Sequence, residues 1–285
     1  MPSYPESELI INPDGSVYHL SLKPEHLSDT IIAVGDPGRV YRVSQFFDDV
    51  DFEMNKREFI THIGVYKGKR ISVMSTGMGT DNIEIVMTEL DALANIDLKK
   101  REPRKQKKKL RIIRIGSSAS IQEDIRVGSH VVSQSAVGLD TLMQFYKLKQ
   151  SETELAISQK VQKETGLGFL PYCVSCSEEL IDKIGQGMVK GNTVTAPGFY
   201  APQGRNIRMP IKFPKLLQRL NHFHRGDYWL TNLEMETAGY YALGRLFGHE
   251  VLSVNAILAN RIRNTFSKNP NKVIDSLIKK VLDRI

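Results

Sequence analysis

Apolar positions along this chain switch repeatedly between two periods. Thr30-Ile31-Ile32-Ala33-Val34 is a continuous, largely β-branched run that stops at Gly35-Asp36-Pro37-Gly38-Arg39, and it predicts a buried strand entering a tight turn. Val17 to Leu20 reads as a short strand before it. A helix is predicted from Arg39 to Phe47, then strands at Phe59 to Tyr66 and Arg70 to Met74. After the turn Ser75-Thr76-Gly77-Met78-Gly79, residues Ile83, Val86, Met87, Leu90 and Leu93 fall at helical spacing between Asp81 and Ala94. Leu110 to Gly116 is again a strand, ending in the small residues Ser117, Ser118 and Ala119. Val131-Val132 starts another β stretch. Ser151 to Thr165 reads as a helix closed by Gly166, and Gly168 to Ser175 as extended chain. The last third predicts helices at Lys215 to His222, Glu234 to Leu246 and Asn271 to Arg284, with strands at Tyr228 to Asn232 and Val251 to Ala259.

Strands alternating with helices over the whole length, with no linker-like boundary and no internal repeat, predict an α/β fold. The expected form is a single domain, residues 1–285, with a central mixed β-sheet flanked by helices. In such sheets ligands collect beyond the carboxyl ends of strands, where Gly35, Ser75 to Gly79, Ser117 and Asn260-Arg261 fall.

Charge changes the picture less than its total suggests. The formal net charge is +7, but Lys99, Lys100, Arg101, Arg104, Lys105, Lys107, Lys108 and Lys109 stand together against Glu102 alone and account for all of it. The run has no aromatic residue for base stacking and carries Pro103 in its middle, so it reads as a solvated, mobile surface insert at 99–109. A nucleic-acid-binding module using this run is the rival from another class. Cys173 and Cys176 lack a second ligand pair at zinc spacing and sit in a strand-like context, so they read as ordinary thiols of a reducing compartment. No stretch is long enough for a membrane span and the start lacks a signal pattern. The expectation is a cytoplasmic protein with no membrane and no nucleic-acid partner.

Two groups of residues suggest chemistry. Phe199-Tyr200-Ala201-Pro202-Gln203-Gly204-Arg205 places an amide and a guanidinium two residues apart after an aromatic pair, a kit for a flat polar heterocycle such as uracil. Gly35, Arg39, Arg114 and Ser117 are the types a phosphate site requires, and Arg114, between Ile113 and Ile115, needs a partner if buried. Near the next junction, Glu234 and Glu236 alternate around Met235. One carboxylate could accept from ribose hydroxyls; the alternative is a helix start acidified to suit its dipole. Gly77-Met78-Gly79 lacks the third glycine of a dinucleotide fingerprint, having Asn82 there, and no Gly-Lys-Ser/Thr of a P-loop is present.

In order and spacing, these segments resemble the type I nucleoside phosphorylases, and within them the uridine phosphorylases. The match runs through Val17 to Leu20, Gly35 to Val40, Arg57-Glu58-Phe59, Ser75 to Gly79, Arg114 to Ser118, Phe199 to Arg205, Glu234 to Glu236 and Asn260-Arg261. The resemblance implies a phosphate site of Gly35, Arg39, Arg114 and Ser117, completed by Arg57 of a neighbouring subunit, with Arg114 and Arg39 carrying catalysis. Met235 and Glu236 would hold the ribose, and His19 would reach its 5′-hydroxyl from the neighbour. Phe199, Gln203, Arg205 and Arg261 would surround the base. It implies reversible phosphorolysis of uridine in pyrimidine salvage, with phosphate as co-substrate and no other cofactor. A homodimer or homohexamer with shared sites is implied, and some members hold a monovalent cation such as K+ at positions matching Glu58, Ile71 and Ser75. The purine branch has an aspartate where Arg261 stands, so a purine nucleoside phosphorylase or a nucleosidase of the same fold is the nearer alternative. Ser117-Ser118-Ala119 and the 99–109 insert depart from the usual pattern.

Overall fold

The structure is a computed structural model that describes residues 3–285. Its contacts gather into two compact units, the first formed by the chain up to Ile113 with Leu243–Glu250, the second by Arg114–Ala242 with Val251–Ile285. Both are α/β, a sheet with helices on it.

In the first unit, β1 (Thr30–Val34) pairs in parallel with β4 (Lys69–Ser75), from Ile31 opposite Ser72 to Val34 opposite Ser75. The antiparallel strands β3 (Phe59–Tyr66) and β2 (Asp49–Lys56) continue the sheet from β4. β2 escaped the sequence reading because its exposed faces carry Asp, Glu, Asn and Lys; edge position tolerates that polarity. Helix α1 (Pro37–Ser44) starts where Asp36 accepts from the Gly38 N–H at 2.9 Å and Pro37 presets the first turn. Helix α2 (Thr80–Asn95) buries Ile83, Val86, Met87, Leu90 and Leu93, the stripe its spacing predicts. Between β4 and α2 the backbone turns at Gly77 and Gly79, with φ of +70° and +94°. A side chain at Gly77 would collide with Asn82 and one at Gly35 would press on the Gly77 carbonyl, so the ends of β1 and β4 meet backbone to backbone.

The second unit takes in most of β5 (Arg111–Ser120), β6 (His130–Gly138), β7 (Tyr172–Ser175), β8 (Val189–Thr195), β9 (Asn232–Glu234) and most of β10 (Glu250–Asn260). β8 lies parallel to both β6 and β9; β9 runs antiparallel to β5, and β10 and β7 antiparallel to β6. Helix α3 (Glu152–Thr165) opens with a reciprocal Ser151/Glu154 capping box and closes at Gly166 in the left-handed region, as its sequence predicts. Its Ile157 and Val161 pack with Val137, Cys173, Val194, Leu220 and Leu233 in one core cluster. Neither α4 (Glu178–Ile184) nor β8 is predicted above; one is short and the other interrupts its apolar residues with Lys190, Gly191 and Asn192. Helix α5 spans Leu216–Asn221, α6 spans Thr237–Phe247 and α7 spans Pro270–Leu282. No helix of the described residues is long and apolar enough to cross a membrane.

Three expectations are corrected. Val17 to Leu20 is not a strand: Val17 makes one bridge to Ile11, and Tyr18 to Leu20 form a turn. The predicted strand Tyr228 to Asn232 divides, Tyr228–Trp229 pairing with His224–Arg225 and Asn232 opening β9. The basic insert is tied down and not a free loop: Lys99 to Pro103 belong to a short hairpin, and the irregular stretch 104–109 is anchored at its end. Ile96–Asp97 pairs with Glu102–Pro103, Asp97 accepts from the Lys99 and Lys100 N–H groups, and Asn95 brackets Lys108 by accepting from its N–H and donating to its carbonyl. Lys108 and Lys109 pair with Asp29 and Glu250. Local charge density gave no hint of these partners, most of which lie outside the run. Asn95→Ala leaves the Lys108 backbone without its two partners and is expected to free the stretch 104–109; limited trypsin digestion should then cut within 99–109 far faster than in the wild type.

Burial also holds the His62 imidazole below its usual pKa of 6.5, with Glu53 opposing weakly, while Ser44 Oγ lies 2.9 Å from Nδ1 and Tyr41 packs edge-on. The folded state therefore resists a proton that the unfolded chain accepts. His62 thus disfavours the fold as pH falls below about 6.5, because the unfolded state then binds more protons. The drop in melting temperature from about pH 7.5 to about pH 5.5 should be smaller in His62→Gln than in the wild type.

Candidate functional site

Strand β5 carries Arg114 into the interior, where only 4 % of it remains exposed. A guanidinium there must be matched in charge and in donors. Its Nη2 lies 2.6 Å from Glu236 Oε2 and 2.9 Å from Glu234 Oε2, and Nη1 donates to Asn255 Oδ1 at 2.9 Å and Ser253 Oγ at 3.2 Å. Burial works against this charge, but the two carboxylates outweigh it and raise the pKa of Arg114. The side chain reaches them by folding back across Gly116. A Cβ at Gly116 would fall within 1.9 Å of Arg114 Nη1, so only glycine leaves room.

The two acids divide their roles. Glu234, at the end of β9, accepts from the Glu236 and Thr237 N–H groups and from Thr195 Oγ1 at 2.6 Å, which fixes the start of α6. Here the helix-start reading holds for Glu234. Glu236 lies two residues on, 6 % exposed, as the acid at 2.6 Å from Arg114; Met235 between them is half-buried. Ser117 is half-buried three residues beyond Arg114, and the neighbouring Ser118 accepts from Asn232 Nδ2 at 3.0 Å.

A second cluster of the same unit forms after β8. Gln203 is 2 % exposed at the end of a short 3-10 turn that runs through Ala201 and Pro202. Arg205 donates to Gln203 Oε1 and to the Phe199 carbonyl, each at 2.6 Å, and stacks on the Phe199 ring at 3.8 Å. Arg261, just past β10, donates to the Gln203 carbonyl at 3.0 Å, while its own N–H donates to the Ser120 carbonyl at the end of β5. All four predicted base-site residues are thus brought together. Burial, and then the positive Arg261, depress the Arg205 guanidinium to about 10, and burial lowers Arg261 as well. The cluster carries positive charge that would be relieved by an electron-rich ligand edge.

Within the first unit, Gly35 sits at the end of β1 and Arg39 is buried on α1. Arg57 occupies the turn between β2 and β3 with φ +54°, an uncommon conformation for any residue other than glycine. Its guanidinium lies 5.8 Å from the Tyr18 ring, and the same ring meets His19 edge-on at 4.8 Å. So the two residues expected to reach a neighbouring subunit share one exposed tyrosine. Of the residues expected at a phosphate, Gly35, Arg39 and Arg57 belong to the first unit, and Arg114 and Ser117 to the second.

The positions matching a cation site between subunits lie on β4 or immediately before its neighbour β3, in the first unit. Ser75 Oγ donates to the Glu58 carbonyl at 2.5 Å and accepts from the Ile60 N–H at 2.8 Å, so Glu58 and Ser75 adjoin. Ile71 lies four residues earlier on a regularly paired strand, about 13 Å away at extended pitch, and does not converge with Ser75 within one chain. Elsewhere, no group of three or more His, Cys, Asp and Glu side chains among the described residues is arranged to hold a metal. Cys173 is buried, and burial pushes the Cys176 thiol up to about 12, so it is a poor thiolate.

Sequence reasoning missed Gly116, whose requirement comes from the fold of a side chain two residues away. It also missed Glu89 on α2, whose neighbours along the chain give no signal of its partner, His19.

The phosphorylase superfamily model matches residues 29–281. The chain is 29% identical over 263 residues to the uridine phosphorylase of Thermococcus kodakarensis, covering 91% of this chain and 83% of that one. It is 27% identical to a DeoD-type purine nucleoside phosphorylase of Colwellia psychrerythraea, covering 83% and 84%. Among solved structures, a Trypanosoma brucei nucleoside phosphorylase described as showing uridine phosphorylase activity superposes with a TM-score of 0.90 at 28% identity, over 97% of this chain and 98% of that one. One of two uridine phosphorylases described from Phytophthora capsici shares the fold, with a TM-score of 0.71 at 21% identity over 99% and 98% of the chains.

Gly116→Ala is expected to expel the Arg114 guanidinium from its place and leave Glu234 and Glu236 buried with less charge compensation. The cost should be about 3 kcal/mol or more, measured as a lower urea midpoint.

Proposed function

The chain belongs to the phosphorylase superfamily, and we propose that within it this protein cleaves uridine with orthophosphate, giving uracil and ribose 1-phosphate. One observation carries the choice of base: Gln203, Arg205 and Arg261 converge beside Phe199. An amide and two guanidinium groups match the carbonyls and N3 of a pyrimidine edge, and none of the three is an acid able to protonate a purine. The purine alternative, raised by the Colwellia relative, fits poorly with Arg261 at that position.

In the proposed reaction a phosphate oxygen attacks C1′ as the C1′–N1 bond lengthens. The bonding pair leaves with the base, and the sugar passes through an oxocarbenium-like state. In this reading Arg114 acts on both reactants, a role supported by its ion pair with Glu236, the acid proposed to accept from the ribose hydroxyls with Met235 against the sugar. Its positive charge positions the phosphate dianion, and that dianion stabilises the cationic sugar. Family resemblance adds Gly35, Arg39 and Ser117 to the phosphate's partners, with Arg57 and His19 supplied by a neighbouring subunit of a homo-oligomer. The departing uracil takes up negative charge. Arg205 and Arg261, each disfavoured in its charged form by burial, gain most when that charge appears, so their interaction strengthens toward the transition state. The uracil anion then takes its proton from water.

A release assay with uridine, run with and without phosphate, tests the reading. Uracil should appear only with phosphate, and inosine and methylthioadenosine should be cleaved at least about a hundredfold less efficiently. Phosphate-independent release, or a preference for inosine, would overturn it. Arg114→Lys keeps the buried charge but loses the planar fork, so kcat/KM should fall about 10²- to 10³-fold while the fold persists, checked by circular dichroism.

A further inference from the structure

Glu89, on α2, gathers four contacts from one short turn. The His19 N–H lies 2.9 Å from its Oε1 and 3.1 Å from its Oε2, the Leu20 N–H donates to Oε2 at 2.8 Å, and His19 Nδ1 is 2.7 Å from Oε1. Only 12% of the Glu89 side chain is exposed, against 28% of His19. Consecutive backbone N–H groups turned toward one carboxylate make a small anion nest, and the ring nitrogen completes it. Two backbone donors would suffice to hold the turn. The contact to Nδ1 does something further.

We propose that Glu89 is a positioning residue that holds His19 as its Nδ1–H tautomer, so that Nε2 accepts a hydrogen bond from the 5′-hydroxyl of the nucleoside. This rests on the nucleoside reading above. An ionised carboxylate only accepts, so the proton between Nδ1 and Oε1 belongs to the ring. In a neutral imidazole Nε2 is then an acceptor. No hydrogen bond to Nε2 occurs among the described residues, and the edge-on Tyr18 ring packs beside the imidazole. The site so built selects a 5′ substituent that can donate. A nucleoside bearing only hydrogen at C5′ loses the contact.

The test compares wild type, Glu89→Gln and His19→Ala with uridine and with 5′-deoxyuridine. Wild type should prefer uridine. Glu89→Gln should lower kcat/KM for uridine about tenfold, the weight of one hydrogen bond, and leave 5′-deoxyuridine nearly unchanged. His19→Ala, which leaves the carboxylate in place, should reproduce this selectivity, and the double variant should lose nothing more. Nitrogen NMR of labelled histidine gives a readout that needs no turnover: His19 should carry its proton on Nδ1 in the wild type and shift toward Nε2–H in Glu89→Gln. Equal losses on both substrates, or no loss on either, would make Glu89 a structural support and overturn the proposal, as would a wild-type His19 protonated on Nε2. If the wild type released no uracil, the substrate reading would fall and the 5′ contact with it; the NMR result would still decide the coupling of Glu89 to His19.

Discussion

A guanidinium buried beside two carboxylates governs the second unit. Arg114 can be where it is only because Glu234 and Glu236 offset the cost of taking its charge out of water, and the carboxylates can be buried only because Arg114 is there. The arrangement reaches into the backbone: Glu234 also caps the start of α6, Thr195 of β8 donates to it, and Gly116 is kept bare to admit the arginine. Strand ends, helix start and site chemistry are therefore one network. In the proposed reading a change to any member is felt as both stability and function.

The cluster around Gln203 follows an opposite electrostatic rule. Arg205 and Arg261 approach each other without an acid between them, and Arg205 leans on the face of Phe199 and the Gln203 amide. That is an unfavourable resting state, tolerated because both groups are only half buried. Ground-state charge is balanced at Arg114 and left unbalanced at Arg205. A reaction that moves negative charge onto the departing base draws on the second kind of site.

Much of this was legible in the chain. The β-branched run at Thr30–Val34, the helical stripe of α2 and the capping box of α3 are local patterns with a fixed period or spacing, and the structure follows them. Polar edges were not legible: β2 alternates charged residues outward, and its pairing depends on β3 being there. Glu234 and Glu236 were visible as a pair, yet which one serves the helix and which the arginine depends on where β9 ends. The basic run misled, because its charge suggested a free loop while Asn95, Asp29 and Glu250 hold it.

By itself the sequence determined the alternation of strands and helices, the glycine turns at strand ends and the residue types available for phosphate, ribose and base. Those follow from interactions among near neighbours along the chain. Only the tertiary structure decided that Gly116 makes room for Arg114, that Arg261 meets the Gln203 loop 58 residues away, and that Glu89 holds the ring of His19 from a distance of 70 residues. Contacts of that range have no period to betray them; they exist because strand pairing and helix packing carry remote segments to within one hydrogen bond.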